Sequence, residues 1–304
     1  DRSLRENRAQ SKAAQRPINW VPWHNSALAS ARWQARRMTR AIDTETEDLL
    51  AHVDGNVGVI MFNRPERRNA LSNAMYGGFD RALMAMTLDA DIRVVMVTGA
   101  GGAFCAGGDV KSMNESHRTG ATRPGRSNNY DDSVAQLRNS QRAISLALHQ
   151  FPKPVVAALP GAAAGAGLSI ALSADIRLAA ERAVLVTAFA GVGASGDFGG
   201  SWFLTQLVGT AKAKELYFTS PRLTAAEAHG LGMINQVLPD IGFESAALAW
   251  CQSLAERAPI ATRLMKENLN RAITSDLATA LDAEATNMVR AMSTADHREA
   301  AAAF

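Results

Sequence analysis

Between Lys153 and Ala180 the chain reads KPVVAALPGAAAGAGLSIALSADIRLAA, and no other stretch restricts the fold as strongly. A β-branched apolar run ends at Pro-Gly, a glycine- and alanine-rich turn follows, and a second apolar run begins after SAD. The order predicts a strand, a tight turn, a helix built from small residues and a returning strand. Small residues at that turn let backbone approach backbone, or a ligand, more closely than larger ones allow.

The flanking sequence fits an alternating α/β chain with a helical end. LLAHVDGNVGVIMFNRP alternates apolar residues on both sides of Asp54-Gly55-Asn56, the pattern of a glycine-turned hairpin. Met75, Phe79, Leu83 and Met86 recur at helical spacing behind Ser72, a good N-cap. Arg93–Gly99 reads as a buried strand, and Val134, Leu137, Ile144 and Leu148 mark another amphipathic helix. Thr224 and Glu227 form a capping box. The polar Asn114–Asp132 stretch is the longest expected loop. The expected organisation is a basic N-terminal extension at 1–45, a core domain at 46–250 and a helical C-terminal region at 251–304.

Composition removes several function classes. Of 304 residues, 47% are apolar and 20% charged, and no apolar run reaches the length of a bilayer span. The net charge of +3 is unevenly placed: residues 1–40 hold nine Lys/Arg against Asp1 and Glu6, a net +7, which leaves −4 for the remainder. A mildly acidic body offers no nucleic-acid surface. The leader carries Trp20, Trp23 and Trp33, lacks the apolar core of a secretory signal, and reads as an appended upstream segment. Cys105 and Cys251 have neither metal-site spacing nor the density of a disulfide scaffold, which favours a reducing, cytoplasmic setting.

Chemistry concentrates at glycine. AFCAGGD and PGAAAGAGLS each follow a strand, and two such turns facing one another would offer two backbone donors to a developing oxyanion. Neither matches a Walker or Rossmann loop. A third stretch, GASGDFGGSWFL, sets Asp197 among glycines, as a helix cap or as a base.

NRPERRNALS, GAFCAGGDVKSM, KPVVAALPGAAAGAGLSIALSADIRLAA and LTAAEAHGLGMINQVLP, in that order, resemble the enoyl-CoA hydratase/isomerase (crotonase) family over roughly Leu49–Phe304. The resemblance implies a crotonase-like spiral of ββα units, a helical C-terminal trimerisation region, and a homotrimer or homohexamer. It implies an acyl-CoA substrate and no cofactor beyond the CoA of that thioester. The oxyanion donors implied are the N–H groups of Ala106 and Ala166, the latter a glycine in most of the family. CoA is expected along Arg64, Arg68 and Ala70 and the turn bearing Phe104, Gly107 and Asp109, with Lys266 and the tail beyond Glu299 near its phosphates. Asp109 also reads as a residue that fixes its own loop.

The two glutamates with which the family's hydratases split water are replaced by Ser169 and Phe189. A phenyl ring exchanges no protons, and an unassisted serine is a poor base near neutral pH. VTAFAGVGASGDFGGSWFL resembles instead the epoxyphenylacetyl-CoA isomerase branch, in which an aspartate, here Asp197, is the sole acid/base. Phe189, Phe198 and Trp202 would then wall off the acyl group. An isomerase is the expected activity. Hydratase-type lyase, CoA-ester hydrolase or dehalogenase chemistry stays open, although the dehalogenase also needs a helper histidine that the sequence does not place, His117 falling in the Asn114–Asp132 stretch. A non-catalytic acyl-CoA-binding or interaction protein is the alternative of another class.

Overall fold

The computed structural model describes residues 39–109, 118–119 and 129–303. The basic leader with its three tryptophans, His117 and most of Asn114–Asp132 lie outside the described residues.

Seven strands form the main sheet. β1 (Arg40–Ile42) pairs antiparallel with β2 (Leu49–Asp54), and β2 with β3 (Val57–Phe62). Gly55, at φ +59°, makes the turn between β2 and β3, with Asp54 opposite Val57 as the closing pair. The sheet continues in parallel through β4 (Val94–Gly99) and β5 (Val155–Leu159). A small sheet then interrupts in sequence: β6 (Ala163–Ala164) will pair with β8. β7 (Ile176–Ala180) lies beside β5, β8 (Val184–Val186) and β9 (Leu223–Thr224) complete the small sheet, and β10 (Gln236–Leu238) flanks β7 at the far edge.

The near-continuous apolar runs of β3, β4 and β5 follow from burial on both faces, as parallel strands require. Val57, Val59, Val94, Met96, Val156 and Ala158 point to one side, where Phe243, Ala247 and Cys251 of a helix cover them. Ile60, Phe62, Val95, Val97, Val155 and Ala157 point to the other, against Met75, Phe79, Leu83 and Met86. Those four residues line one face of α1 (Asn73–Leu88), whose Ser72 hydroxyl accepts the Met75 N–H at 3.4 Å. Full burial stabilises each by on the order of 1.5–3 kcal/mol.

α2 (Tyr130–Gln141) begins at Asn129, whose side chain accepts the Asp131 and Asp132 amides, so the expected loop ends three residues early. It runs on through a π-helical turn at Arg142–Leu146 and a last turn at Ala147–Gln150. All eight residues of α3 (Ala166–Ser173) are buried, which is why the turn and helix use small side chains. α4 (Gly200–Thr219) breaks at Gly209, whose φ +76° and ψ 162° only glycine adopts without strain. α5 (Ala225–Gly230) carries the Thr224–Glu227 capping box. α6 (Phe243–Ala255), α7 (Pro259–Ala272), α8 (Leu277–Met292) and α9 (Ala295–Ala303) complete the chain.

Two expected boundaries move. Residues 40–42 belong to the sheet rather than to the extension, because β1 pairs with β2 and Thr44 Oγ1 donates to Leu49 O at 2.6 Å. The boundary at 250/251 falls inside α6, whose Cys251 and Ala255 are buried against the sheet. Among the described residues, no helix is long and apolar enough to cross a membrane.

Candidate active site

The two glycine turns touch. Ala164 N–H donates to Cys105 O at 3.0 Å. A methyl group at Gly107, which stands at φ +83°, would lie 2.7 Å from Ala164 O and 3.0 Å from Ala166 N. One at Gly167 would collide with Cys105 O. Glycine at both positions is what brings the strand-end turn against the start of α3.

The contact corrects one expected donor. Ala106 N–H donates to Arg68 O at 3.0 Å and is not left for a ligand. The Gly107 N–H faces Cys105 Sγ at 3.4 Å. The remaining amide is that of Gly108: no acceptor among the described residues takes it. On the facing turn Ala166 opens α3, so its N–H has no intrahelical partner. Gly108 and Ala166 are therefore the candidate donor pair. The signal for Gly108 was the doubled glycine in AFCAGGD.

Asp197 sits in a strained loop. Gly196, Phe198 and Gly199 have φ of +107°, +50° and +75°, and a left-handed phenylalanine is uncommon outside functional turns. Phe198 N–H donates to Gln141 Oε1 at 2.9 Å, and its ring stacks on Tyr76 with centroids 6.4 Å apart. Gly199 is the cap residue of α4, so Asp197 lies two residues before the cap position. Its Oδ1 is sealed from solvent.

Beside it stands Tyr217, which the sequence reading did not single out. A methyl at Gly196 would come within 2.9 Å of Tyr217 Cε1. Burial, and then the negative charge of Asp197, push the phenol up to about 12, so it stays protonated near neutral pH. Its ring stacks on Phe189 with centroids 5.7 Å apart, and Phe189 lies over Gly165, 3.8 Å from where a Cβ would stand. Asp197, Tyr217, Phe189 and the start of α3 thus form one continuous wall.

The other expected contacts divide. Ser169 joins the site: it is buried, its Oγ donates to Gly165 O at 3.3 Å, and both its Oγ and the Tyr217 hydroxyl lie against Gly200. Arg64 donates to Ala70 O at 2.8 Å and faces Asp48 at 3.7 Å and Asp109 at 3.8 Å, so Asp109 fixes its loop through an ion pair. Arg68 is exposed and left-handed, and Ala70 is buried. Three residues stand apart from the Tyr217–Phe189 wall. Phe104 is fully buried edge-on to Phe62. Trp202 packs on His149 and Phe203, apart from the Phe189–Tyr217 stack. Phe198 lies in the core with its ring on Tyr76.

Lys266 is the clearest correction. Its ammonium is buried, 2.7 Å from Asp175 Oδ2, and donates to Leu148 O and Lys153 O at 3.3 Å each. It has no proton left for a phosphate. Cys105 is fully buried, and burial pushes its thiol up to about 12, the state of an inert packing residue. Among the described residues no cluster of His, Cys, Asp and Glu has the makings of a metal site.

Residues 52–304 match the family model described as enoyl-CoA hydratase/isomerase. The chain belongs to the enoyl-CoA hydratase/isomerase family. Among its relatives, the 1,2-epoxyphenylacetyl-CoA isomerase of Escherichia coli (strain K12) is 36% identical over 85% of this chain and 95% of that protein. The short-chain-enoyl-CoA hydratase of Clostridium acetobutylicum is 33% identical over 86% and 95%. An enoyl-CoA hydratase from Polaromonas sp. JS666 superposes with a TM-score of 0.77 at 34% identity, covering 84% of this chain and 96% of that one. A Thermobifida fusca YX protein solved in complex with CoA has a TM-score of 0.72 at 31% identity, over 80% and 92%. The protein is an acyl-CoA enzyme of this family with a crotonase fold, and its relatives carry both hydratase and isomerase names.

Proposed function

We propose that this enzyme isomerises the acyl part of a CoA thioester, moving a double bond from the β,γ to the α,β position or rearranging an epoxide. One observation carries the reading: a single carboxylate, Asp197, stands beside Tyr217 in the wall that Phe189 continues, while the positions that resemble the glutamates of the family's hydratases hold Ser169 and Phe189.

In this reading the thioester oxygen accepts the N–H groups of Gly108 and Ala166. Asp197 removes the α-proton of a β,γ-enoyl thioester. The C–H electron pair becomes a dienolate whose charge lies on that oxygen, where two preorganised donors stabilise it more than they stabilise the neutral carbonyl. The same carboxyl returns its proton to the γ-carbon, and the carbonyl re-forms. One group suffices because one proton leaves and one returns.

Hydration is the competing reading, supported by the name of the Clostridium relative. It needs a base for water and an acid for the α-carbon, and Ser169 and Phe189 supply neither. Crotonyl-CoA hydration is therefore expected at no more than a small fraction of the rate of β,γ-enoyl-CoA isomerisation, followed at the thioester-enone absorbance. The α-protons of a β,γ-enoyl-CoA should exchange in deuterated water, seen by NMR. Efficient crotonyl-CoA turnover without such exchange would overturn the isomerase reading. A homotrimer or homohexamer, assembled through the exposed Leu277, Leu281, Met288, Val289 and Met292 of α8, completes the proposal.

A further inference from the structure

Asp197 opens a four-residue turn closed by the Gly200 N–H, which donates to Asp197 O at 3.1 Å. The two central residues, Phe198 and Gly199, stand at φ +50° and +75°, the signs of a type I′ turn. Glycine, asparagine and aspartate dominate those central positions, because a β-carbon carrying a bulky ring is strained there. A phenylalanine keeps such a conformation only where its surroundings over-determine it, and such places cluster at functional sites. Two neighbouring helices hold this one. The Phe198 ring is buried and stacks on Tyr76 of α1, with centroids 6.4 Å apart. Its N–H, for which the turn itself has no acceptor, donates to Gln141 Oε1 at 2.9 Å.

Phe198 N–H and Asp197 C=O belong to one peptide group, so both of its ends are held: the carbonyl by Gly200, the amide by Gln141. That plane sets the direction in which the Asp197 side chain leaves the backbone. Gln141 is the last residue of α2, and the π-helical turn Arg142–Leu146 follows it. Farther along, His149 packs edge-on against Trp202 and Phe203 in the first turn of α4, at 5.4 Å in each case. Residues eight apart in an unbroken α-helix point about 80° away from each other. The wider π turn takes up that difference, so Gln141 and His149 meet the same segment from one side of the helix. We propose that Gln141 is a positioning residue for Asp197, its carboxamide oxygen fixing the Asp197–Phe198 peptide and through it the stance of the carboxylate. The inference rests on the reading of Asp197 as the base and adds to it a residue that touches backbone rather than substrate.

Two substitutions separate the acceptor from the rest of the side chain. Gln141→Leu removes the acceptor, whereas Gln141→Glu keeps an oxygen at the same reach and loses the amide donors. Misplacing a catalytic group by about 1 Å can cost about 10²-fold in rate. Gln141→Leu should therefore lower kcat for but-3-enoyl-CoA by about 10- to 100-fold with KM unchanged. Gln141→Glu should recover most of that loss. Its added charge raises the pKa of the neighbouring Asp197, so kcat is compared on the alkaline plateau of each pH profile. Hydrogen exchange read by mass spectrometry follows the peptide that contains Phe198. Exchange there should quicken in Gln141→Leu and match the unmodified enzyme in Gln141→Glu.

Unchanged kcat in Gln141→Leu would overturn the positioning role while leaving Asp197 as the base, and so would a loss in Gln141→Glu equal to that in Gln141→Leu. A rise in KM in place of a fall in kcat would make Gln141 part of the binding surface and overturn the role as well. Undiminished turnover in Asp197→Asn, or none in the unmodified enzyme, would remove the base and the positioning role together. Thermal melts of each variant check that the fold is intact. Should Gln141→Leu melt early, Gln141→Met, which matches glutamine in length and flexibility, decides in its place.

Discussion

Asp197→Asn is expected to bind a β,γ-enoyl-CoA with unchanged affinity and neither to isomerise it nor to exchange its α-protons with deuterated water. The amide matches the carboxylate in size and can hold similar local bonds, so the Gly196–Gly199 turn should keep its shape. The Phe198 N–H bond to Gln141 and the ring stack on Tyr76 are independent of the change. The basic lone pair is what disappears. Losing a general acid/base costs about 10²–10⁴ in rate, and losing the only one belongs at the upper end. Kinetics give kcat, NMR the exchange, and titration with butyryl-CoA the affinity. Near-normal exchange in the variant would return Asp197 to a purely structural role.

The second large effect concerns stability. Lys266→Met removes the ammonium that joins Asp175, Leu148 O and Lys153 O. Burial alone pushes the Asp175 carboxyl up and the Lys266 ammonium down, and the attraction between them opposes both shifts. Each ion is therefore tolerated only because of the other. Asp175 also accepts the Val155 N–H at 2.7 Å, so this pair ties α7 to the start of β5. Breaking a buried pair from one side typically costs about 3–5 kcal/mol, which for a body of this size is roughly 6–20 °C in Tm. Asp175→Asn in the same chain should restore part of the loss. KM for an acyl-CoA should not change, whereas a lysine on a CoA phosphate would raise it. A loss below about 1 kcal/mol would show that the pair is solvated and weak.

These two residues also show where reading from sequence succeeds and where it stops. The setting of Asp197 in a glycine-rich turn was legible because an acidic side chain among glycines is conspicuous locally. The hairpin at Gly55, the apolar stripe of α1 and the capping box at Thr224 were legible for the same reason: each is set by residues within one or two turns of chain. Lys266 was misread because its partner lies ninety residues earlier, and nothing near it marks burial. Ala106 was misassigned because its amide is taken by Arg68, on a segment the local motif does not contain. Tyr217 was missed because in KELYFTS it looks like one more apolar helix residue. Only the break at Gly209 and the packing of α4 against α3 bring its hydroxyl and Ser169 together at Gly200.

The small sheet beneath the site has a consequence for dynamics. β6 and β9 are two residues long and β8 is three, yet Ala166 lies two residues beyond the end of β6 and Phe189 three beyond the end of β8. Strands so short contribute few ladder bonds, and their opening does not require the seven-stranded sheet to open. Amide protons of Leu185 and Val186 should therefore exchange with solvent through local fluctuations well before those of Val95 and Val97 in the centre of the main sheet. The candidate site thus rests on short strands with few ladder bonds, and an acyl-CoA that bridges Gly108 and Ala166, as proposed, would slow that exchange by the free energy with which it binds the closed form.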